Sequence, residues 1–150
     1  MGIYLHIPFC EKKCAYCDFL SAAVDKKTQK QYMEALLREI KSYKSRVDEY
    51  EIGTIFIGGG TPSIVDPTYI REIINMIKEI FHLKNNVEIT IEANPGTIDI
   101  EKLETYKAAG INRLSIGLQS TSDRELKSLG RIHSYKEFKD NYILAREIGF

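Results

Sequence analysis

Four short apolar runs, separated by helical patterns, set the strongest limit on how this chain folds. They cover residues 2 to 8, closed by Pro8, then Thr54 to Ile57, Val87 to Ile91 and Arg113 to Ile116. Their length and composition read as strands. Between the first two, Tyr32, Met33, Leu36, Leu37, Ile40 and Tyr43 recur at three- and four-residue spacing, and after the second Ile70, Ile73, Ile74, Ile77 and Ile80 do the same. That spacing gathers apolar side chains on one helix face. Asp66 is the expected N-cap of the second helix with Pro67 at its first position, and a third helix near Asp99 to Ala109 ends at Gly110. Ser122 with Glu125 and Ser134 with Glu137 each fit a capping box, and Tyr135, Phe138, Tyr142 and Ala145 are expected to line one face of the last helix.

Strands alternating with helices long enough for right-handed crossovers predict an α/β fold, a parallel sheet covered by helices. The pattern leaves a barrel and an open doubly wound sheet both standing. Ala109-Gly110-Ile111 leads from the third helix into the fourth strand, and Ile148-Gly149-Phe150 repeats that pattern. The expectation is one unit over residues 1 to 150 that breaks off before a fifth strand. In both architectures binding groups gather at the carboxyl ends of the strands. Those ends carry Pro8-Phe9-Cys10, Gly58-Gly59-Gly60-Thr61-Pro62, Glu92-Ala93-Asn94-Pro95 and Gln119-Ser120. Thiols, glycines, a carboxylate and an amide are thus expected on one rim.

Lys plus Arg and Asp plus Glu both number 21, so the formal net charge is zero and no large basic field attracts nucleic acid or anionic lipid. No run reaches the roughly 20 apolar residues of a membrane span, and Met-Gly-Ile-Tyr-Leu-His lacks the basic region that precedes a signal segment. The three cysteines fall within eight positions, an odd count that cannot pair off completely. Clustered thiols suit a metal site in a reducing, cytoplasmic setting.

Cys10, Cys14 and Cys17 are spaced C-x3-C-x2-C. Thiolates are soft ligands for Fe-S clusters or zinc, but closed zinc sites usually take four ligands as two separated pairs. Three thiolates on a [4Fe-4S] cube leave one iron open to an outside ligand, whereas a pure electron carrier takes four. A small zinc-binding module without redox chemistry is the bland alternative. His6 lies on the first strand, where a packed or hydrogen-bonded role is the ordinary one.

The cysteine spacing, with aromatic Tyr16 before Cys17, resembles the signature of the radical S-adenosylmethionine (SAM) superfamily. Residues 3–10, Ile57 to Ser63, Ile91 to Pro95, Arg113 to Ser120 and Leu129 to His133 resemble blocks of its oxygen-independent coproporphyrinogen III oxidase group. Those oxidases carry a further cysteine two positions after the third, where this chain has Phe19; Cys17-Asp18-Phe19-Leu20-Ser21 looks instead like the HemW branch.

The resemblance implies the N-terminal part of a (β/α)6 partial barrel, a [4Fe-4S] cluster on Cys10, Cys14 and Cys17, SAM, and reductive SAM cleavage. It also implies heme binding and transfer to apo-hemoproteins with a low-potential electron donor, rather than coproporphyrinogen dehydrogenase activity. By family position, Gly59, Gly60 and Thr61 let the methionine end of SAM approach the backbone. Three glycines exceed what a turn needs, and no Gly-Lys-Ser/Thr follows to make a phosphate loop. Glu92 accepts from ribose hydroxyls or an ammonium in this scheme; Gln119 and Arg131 contact SAM or a second nucleotide-like ligand. Tyr4 and Tyr16 stand near cluster and adenine.

Overall fold

The computed structural model describes residues 1–45 and 51–150. Strands β1 (Gly2–Ile7), β2 (Glu51–Gly59), β3 (His82–Ala93) and β4 (Arg113–Ile116) form one sheet in sequential order, every neighbouring pair parallel. The helices are α1 (Lys26–Ser42), α2 (Pro67–Ile80), α3 (Ile100–Ala109), α4 (Asp123–Ser128) and α5 (Tyr135–Ile148). The α/β class is as the alternation predicts. β2 and β3 run longer than their apolar runs. Backbone pairing continues through polar residues, with a shift of register between Ile52 and Thr54.

One sheet face forms the core. Leu5, Ile7, Ile55, Ile57, Ile89 and Ile91 are buried in a cluster with Met33 and Ile40 of α1, Ile70, Ile73, Ile74 and Ile77 of α2, and Leu103 of α3. Each such side chain contributes about 1.5–3 kcal/mol by leaving water. Side chains alternate across a strand, so Tyr4, His6, Phe56, Glu88 and Glu92 belong to the opposite face. No helix of the structure is long and apolar enough to cross a membrane, among the described residues.

Helix starts follow their caps. Asp66 accepts from the Thr68 amide and Asp99 from that of Lys102, Gly110 closes α3 in the left-handed conformation, and Ser134 with Glu137 forms a complete capping box. At Ser122 only half of the expected box exists. Ser122 accepts from the Glu125 amide, but the Glu125 carboxylate takes the Ser120 hydroxyl and Ser120 Oγ takes the Ser122 amide. A nearer hydroxyl outcompetes the cap backbone. The aromatic face expected of α5 is present, and of its four residues only Ala145 is buried, Tyr142 being 51% exposed. Tyr135, Phe138 and Tyr142 stack along the helix with centroids 6.4 and 6.1 Å apart. Ala145, with Leu144 and Ile148, packs the helix on the core, and Asn141 ties it further by accepting from the Gly96 amide and donating to the Ile98 carbonyl.

Candidate cluster and cofactor site

The cysteine loop leaves and rejoins the sheet edge at fixed points. Cys10 N donates to Ala22 O (3.1 Å) and Ala22 N to Pro8 O (3.0 Å), which pairs Phe9 with Ala22 beyond the end of β1. Residues 11–21 therefore form a closed excursion. Ala15 N donates to Leu129 O (3.2 Å) and Cys17 N to Cys14 O (3.1 Å). His6 ties the return. Its Nδ1 is 3.0 Å from the Tyr4 hydroxyl and its Nε2 3.0 Å from Leu20 O, so both ring nitrogens are occupied and the ring is not a metal ligand.

The three cysteines are free and half-buried. They line one cleft of about 280 Å³ with Lys12, Tyr16, Phe19, Gly59, Gly60, Thr61, Glu92, Asn94, Gln119 and Arg131. Most of the expected site residues therefore meet on one rim. Tyr4 does not line this cleft; it stands on β1, 58% exposed, stacked on Phe56 with centroids 6.1 Å apart.

Two of the sulfurs belong to one hydrogen-bond network. Thr61 Oγ1 donates to Cys10 Sγ at 3.6 Å, and Arg131 Nη1 to Cys14 Sγ at 3.6 Å. Asn94 joins these donors: Nδ2 donates to Thr61 Oγ1 (2.8 Å), and Oδ1 accepts from Arg131 Nη2 (2.7 Å). Arg131 Nη2 also donates to Gly117 O (2.8 Å), while its Nε is buried without a partner. Hydrogen bonds to cluster sulfurs are one of the levers by which a protein sets a cluster's potential. Asn94 was legible as a strand-end amide but carried no assigned role; its importance lies in reaching both cysteines' partners at once.

The glycine segment is shaped by close approach. Gly59 has φ +120°, and a Cβ on Gly60 would stand 2.5 Å from Phe9 O. The segment's amides are spent internally: Gly59 N on Glu92 Oε2 (3.0 Å), Gly60 N on Ile7 O (2.9 Å) and Thr61 N on Phe9 O (2.6 Å). What it offers a ligand is carbonyl oxygen and room. Gln119 sits at φ 71°, a conformation costing a non-glycine residue about 1–2 kcal/mol. A Cβ on Gly117 would lie 3.1 Å from Gln119 Nε2 and 2.9 Å from Asn94 Oδ1, which puts the strained amide beside the network.

Burial pushes the Tyr16 hydroxyl up, against the opposing pull of Arg131. His133, 5% exposed, is held below the usual imidazole range by burial and then by Arg131. Its Nε2 meets Leu118 O at 3.2 Å and its Nδ1 has no partner.

The donor set is three half-buried free thiols, which suits a [4Fe-4S] cube with one iron left open better than a closed zinc site, which takes four ligands.

Comparison with known proteins agrees with this donor set. The profile of the Radical SAM superfamily matches residues 4–150, and the chain belongs to that superfamily. The superfamily's cofactors are a [4Fe-4S] cluster and SAM. The heme chaperone HemW of Haemophilus influenzae is 40% identical over 154 residues, covering 99% of this chain and 40% of that protein. HemW of Escherichia coli is 40% identical over 150 residues and HemW of Bacillus subtilis 38% over 148 residues. The chain thus spans about 40% of the length of these relatives. The structure of E. coli coproporphyrinogen III oxidase (HemN), described as a radical SAM enzyme, superposes with a TM-score of 0.91 at 30% identity, covering 99% of this chain and 35% of that one. Where that group's pattern has its extra cysteine, Phe19 is 68% exposed.

Proposed function

We propose that this chain holds a [4Fe-4S] cluster on Cys10, Cys14 and Cys17, binds SAM across the cleft, and serves heme handling as a HemW-type chaperone in the cytoplasm. The carrying observation is the chain Cys10, Thr61, Asn94, Arg131, Cys14, which joins two of the three clustered thiols to the ends of β1, β2 and β3. When bound, cluster and SAM supply one-electron reductive bond cleavage.

The side chains divide the binding work. Gly59 and Gly60 present carbonyl oxygens to an ammonium, since their N–H groups are spent. Glu92 keeps one carboxylate oxygen on the Gly59 amide and turns the other to an ammonium or ribose hydroxyl. Arg131 and Lys12 favour a carboxylate, the Gln119 amide fixes a polar edge, and Tyr16 closes the cleft beside the ligand's ring. Tyr4 acts from the sheet face through His6. A low-potential donor delivers the electron and apo-hemoproteins receive the heme.

Similarity to HemN supports a second reading, coproporphyrinogen dehydrogenation; Phe19 in place of the extra cysteine weighs against it. Anaerobic cluster-loaded protein given hemin and an apo-hemoprotein separates the two. Heme transfer without SAM consumption supports the chaperone. SAM cleavage in step with coproporphyrinogen oxidation overturns it.

A further inference from the structure

A lysine outside the cleft holds together the two loops that would grip SAM. Gly59, Gly60 and Thr61 stand at the end of β2, and Glu92 and Asn94 at the end of β3. Both strands have a neighbour on either side in the sheet, so the junction of their loops lies inside the fold. Behind the ligand-facing residues, Ser63 and Thr97 are buried with their hydroxyls bonded to each other. Ser63 Oγ also accepts from the Asn94 amide (3.4 Å), and Thr97 Oγ1 donates to Asn94 O (2.6 Å). Lys102, in the first turn of α3, closes this junction: its Nζ donates to Ser63 O at 2.7 Å and to Thr97 O at 2.8 Å. Lys26 of α1 reaches only the first of the two loops, at Ile64 O (3.2 Å).

An ammonium at this place is costly on two counts. The first turn of a helix disfavours positive charge, and burial holds the Lys102 ammonium below the usual lysine range, against the pull of Asp99. An apolar side chain would avoid both costs. It could not bind carbonyls of two loops at once, which an ammonium with three donors does. The consequence reaches the cleft through Asn94, which bonds Thr61 on the other loop at 2.8 Å. Sliding one loop against the other would part these two residues and change the spacing between the glycine carbonyls and Glu92.

We infer that Lys102 is a positioning residue for SAM binding: it locks the loop after β2 to the loop after β3 and so keeps Gly59, Gly60 and Glu92 at the spacing that one ligand spans. The inference rests on the SAM-binding reading above.

The test compares Lys102→Met, Lys102→Arg and Lys78→Met. Lys78 makes the same kind of bond near the other end of α3, donating to Ala109 O at 2.7 Å, so its loss reports stability alone. On cluster-loaded protein, Lys102→Met should bind SAM about tenfold more weakly by calorimetry, the scale on which outer-shell partners act. Lys102→Arg keeps donors for both carbonyls and should recover most of that loss, while Lys78→Met should lower the urea midpoint and leave SAM affinity unchanged. In the cluster-free protein, amide hydrogen exchange at Ile64 and Thr97, which donate to Thr61 O and Asn94 O, should quicken in Lys102→Met only. That readout decides the matter even for a variant that loads cluster poorly. Unchanged SAM affinity or unchanged exchange in Lys102→Met overturns the assignment, as does a Lys102→Arg protein equally weak, or an equal loss in Lys78→Met. Failure of the unaltered, cluster-loaded protein to bind SAM would overturn the SAM-binding reading itself, and the exchange comparison would still decide whether Lys102 locks the loops.

Discussion

Replacing Asn94 by alanine probes the network on which the site is built. The change deletes a neutral hydrogen bond to Thr61 and a charge-assisted one from Arg131. Neutral bonds contribute about 1 kcal/mol and those to charged groups about 1.5–3 kcal/mol. Arg131 already has a buried, unpartnered Nε, so its guanidinium would keep only Gly117 O and the Cys14 sulfur as protein partners. The expected loss is about 2–4 kcal/mol, discounted from the sum because the cleft admits water to the freed groups. Asn94→Asp keeps the acceptor for Arg131 and loses only the donor to Thr61, so it should lose about 1 kcal/mol or less. Urea unfolding followed by circular dichroism on the cluster-free protein measures both. Equal midpoints for the unaltered and Asn94→Ala proteins, or a larger loss for Asp than for Ala, would refute the assigned network.

Glu92→Ala should weaken SAM binding to cluster-loaded protein by about 1.5–3 kcal/mol; unchanged calorimetric affinity would remove Glu92 from the ligand. Gly60→Ala drives a Cβ against Phe9 backbone and should destabilise the fold by about 1–3 kcal/mol, a claim that an unshifted urea midpoint would defeat. His133 has a folded pKa depressed by burial and then by Arg131. Its neutral form is favoured in the fold and the unfolded chain takes up a proton first. Its contribution to stability is therefore complete above about pH 6.5, the unfolded value, and lost as pH falls toward the folded value. Urea midpoints between pH 7.5 and 5.5 should decline less steeply in His133→Gln, and parallel declines would exclude this role.

Much of the fold was legible because isoleucine-rich runs buried on one face and three-and-four spacing are strong local signals. Asp66, Asp99 and Ser134 cap as their sequences predict. The aromatic residues of α5 line one face as their spacing predicts, but periodicity reports a stripe and not what covers it. Tyr135, Phe138 and Tyr142 satisfy one another by stacking while Asn141 makes the tertiary bonds. In the site, the cysteines, the glycines and Glu92 could be found because each sits at a strand end. Asn94 and His133 could not be assigned roles, since hydrogen bonds spanning 33 to 37 positions and a buried unpartnered nitrogen leave no mark on local sequence. Tyr4 reads like a cleft residue in sequence, and although it shares a sheet face with Glu92 it stacks on Phe56 and does not line the cleft.

Electron paramagnetic resonance of the anaerobically reconstituted, reduced protein, with and without SAM, tests the central claim most directly. Three thiolates and one open iron predict a [4Fe-4S] signal that changes when SAM is added. A signal indifferent to SAM, or a protein that takes up zinc without iron and sulfide, would contradict the account.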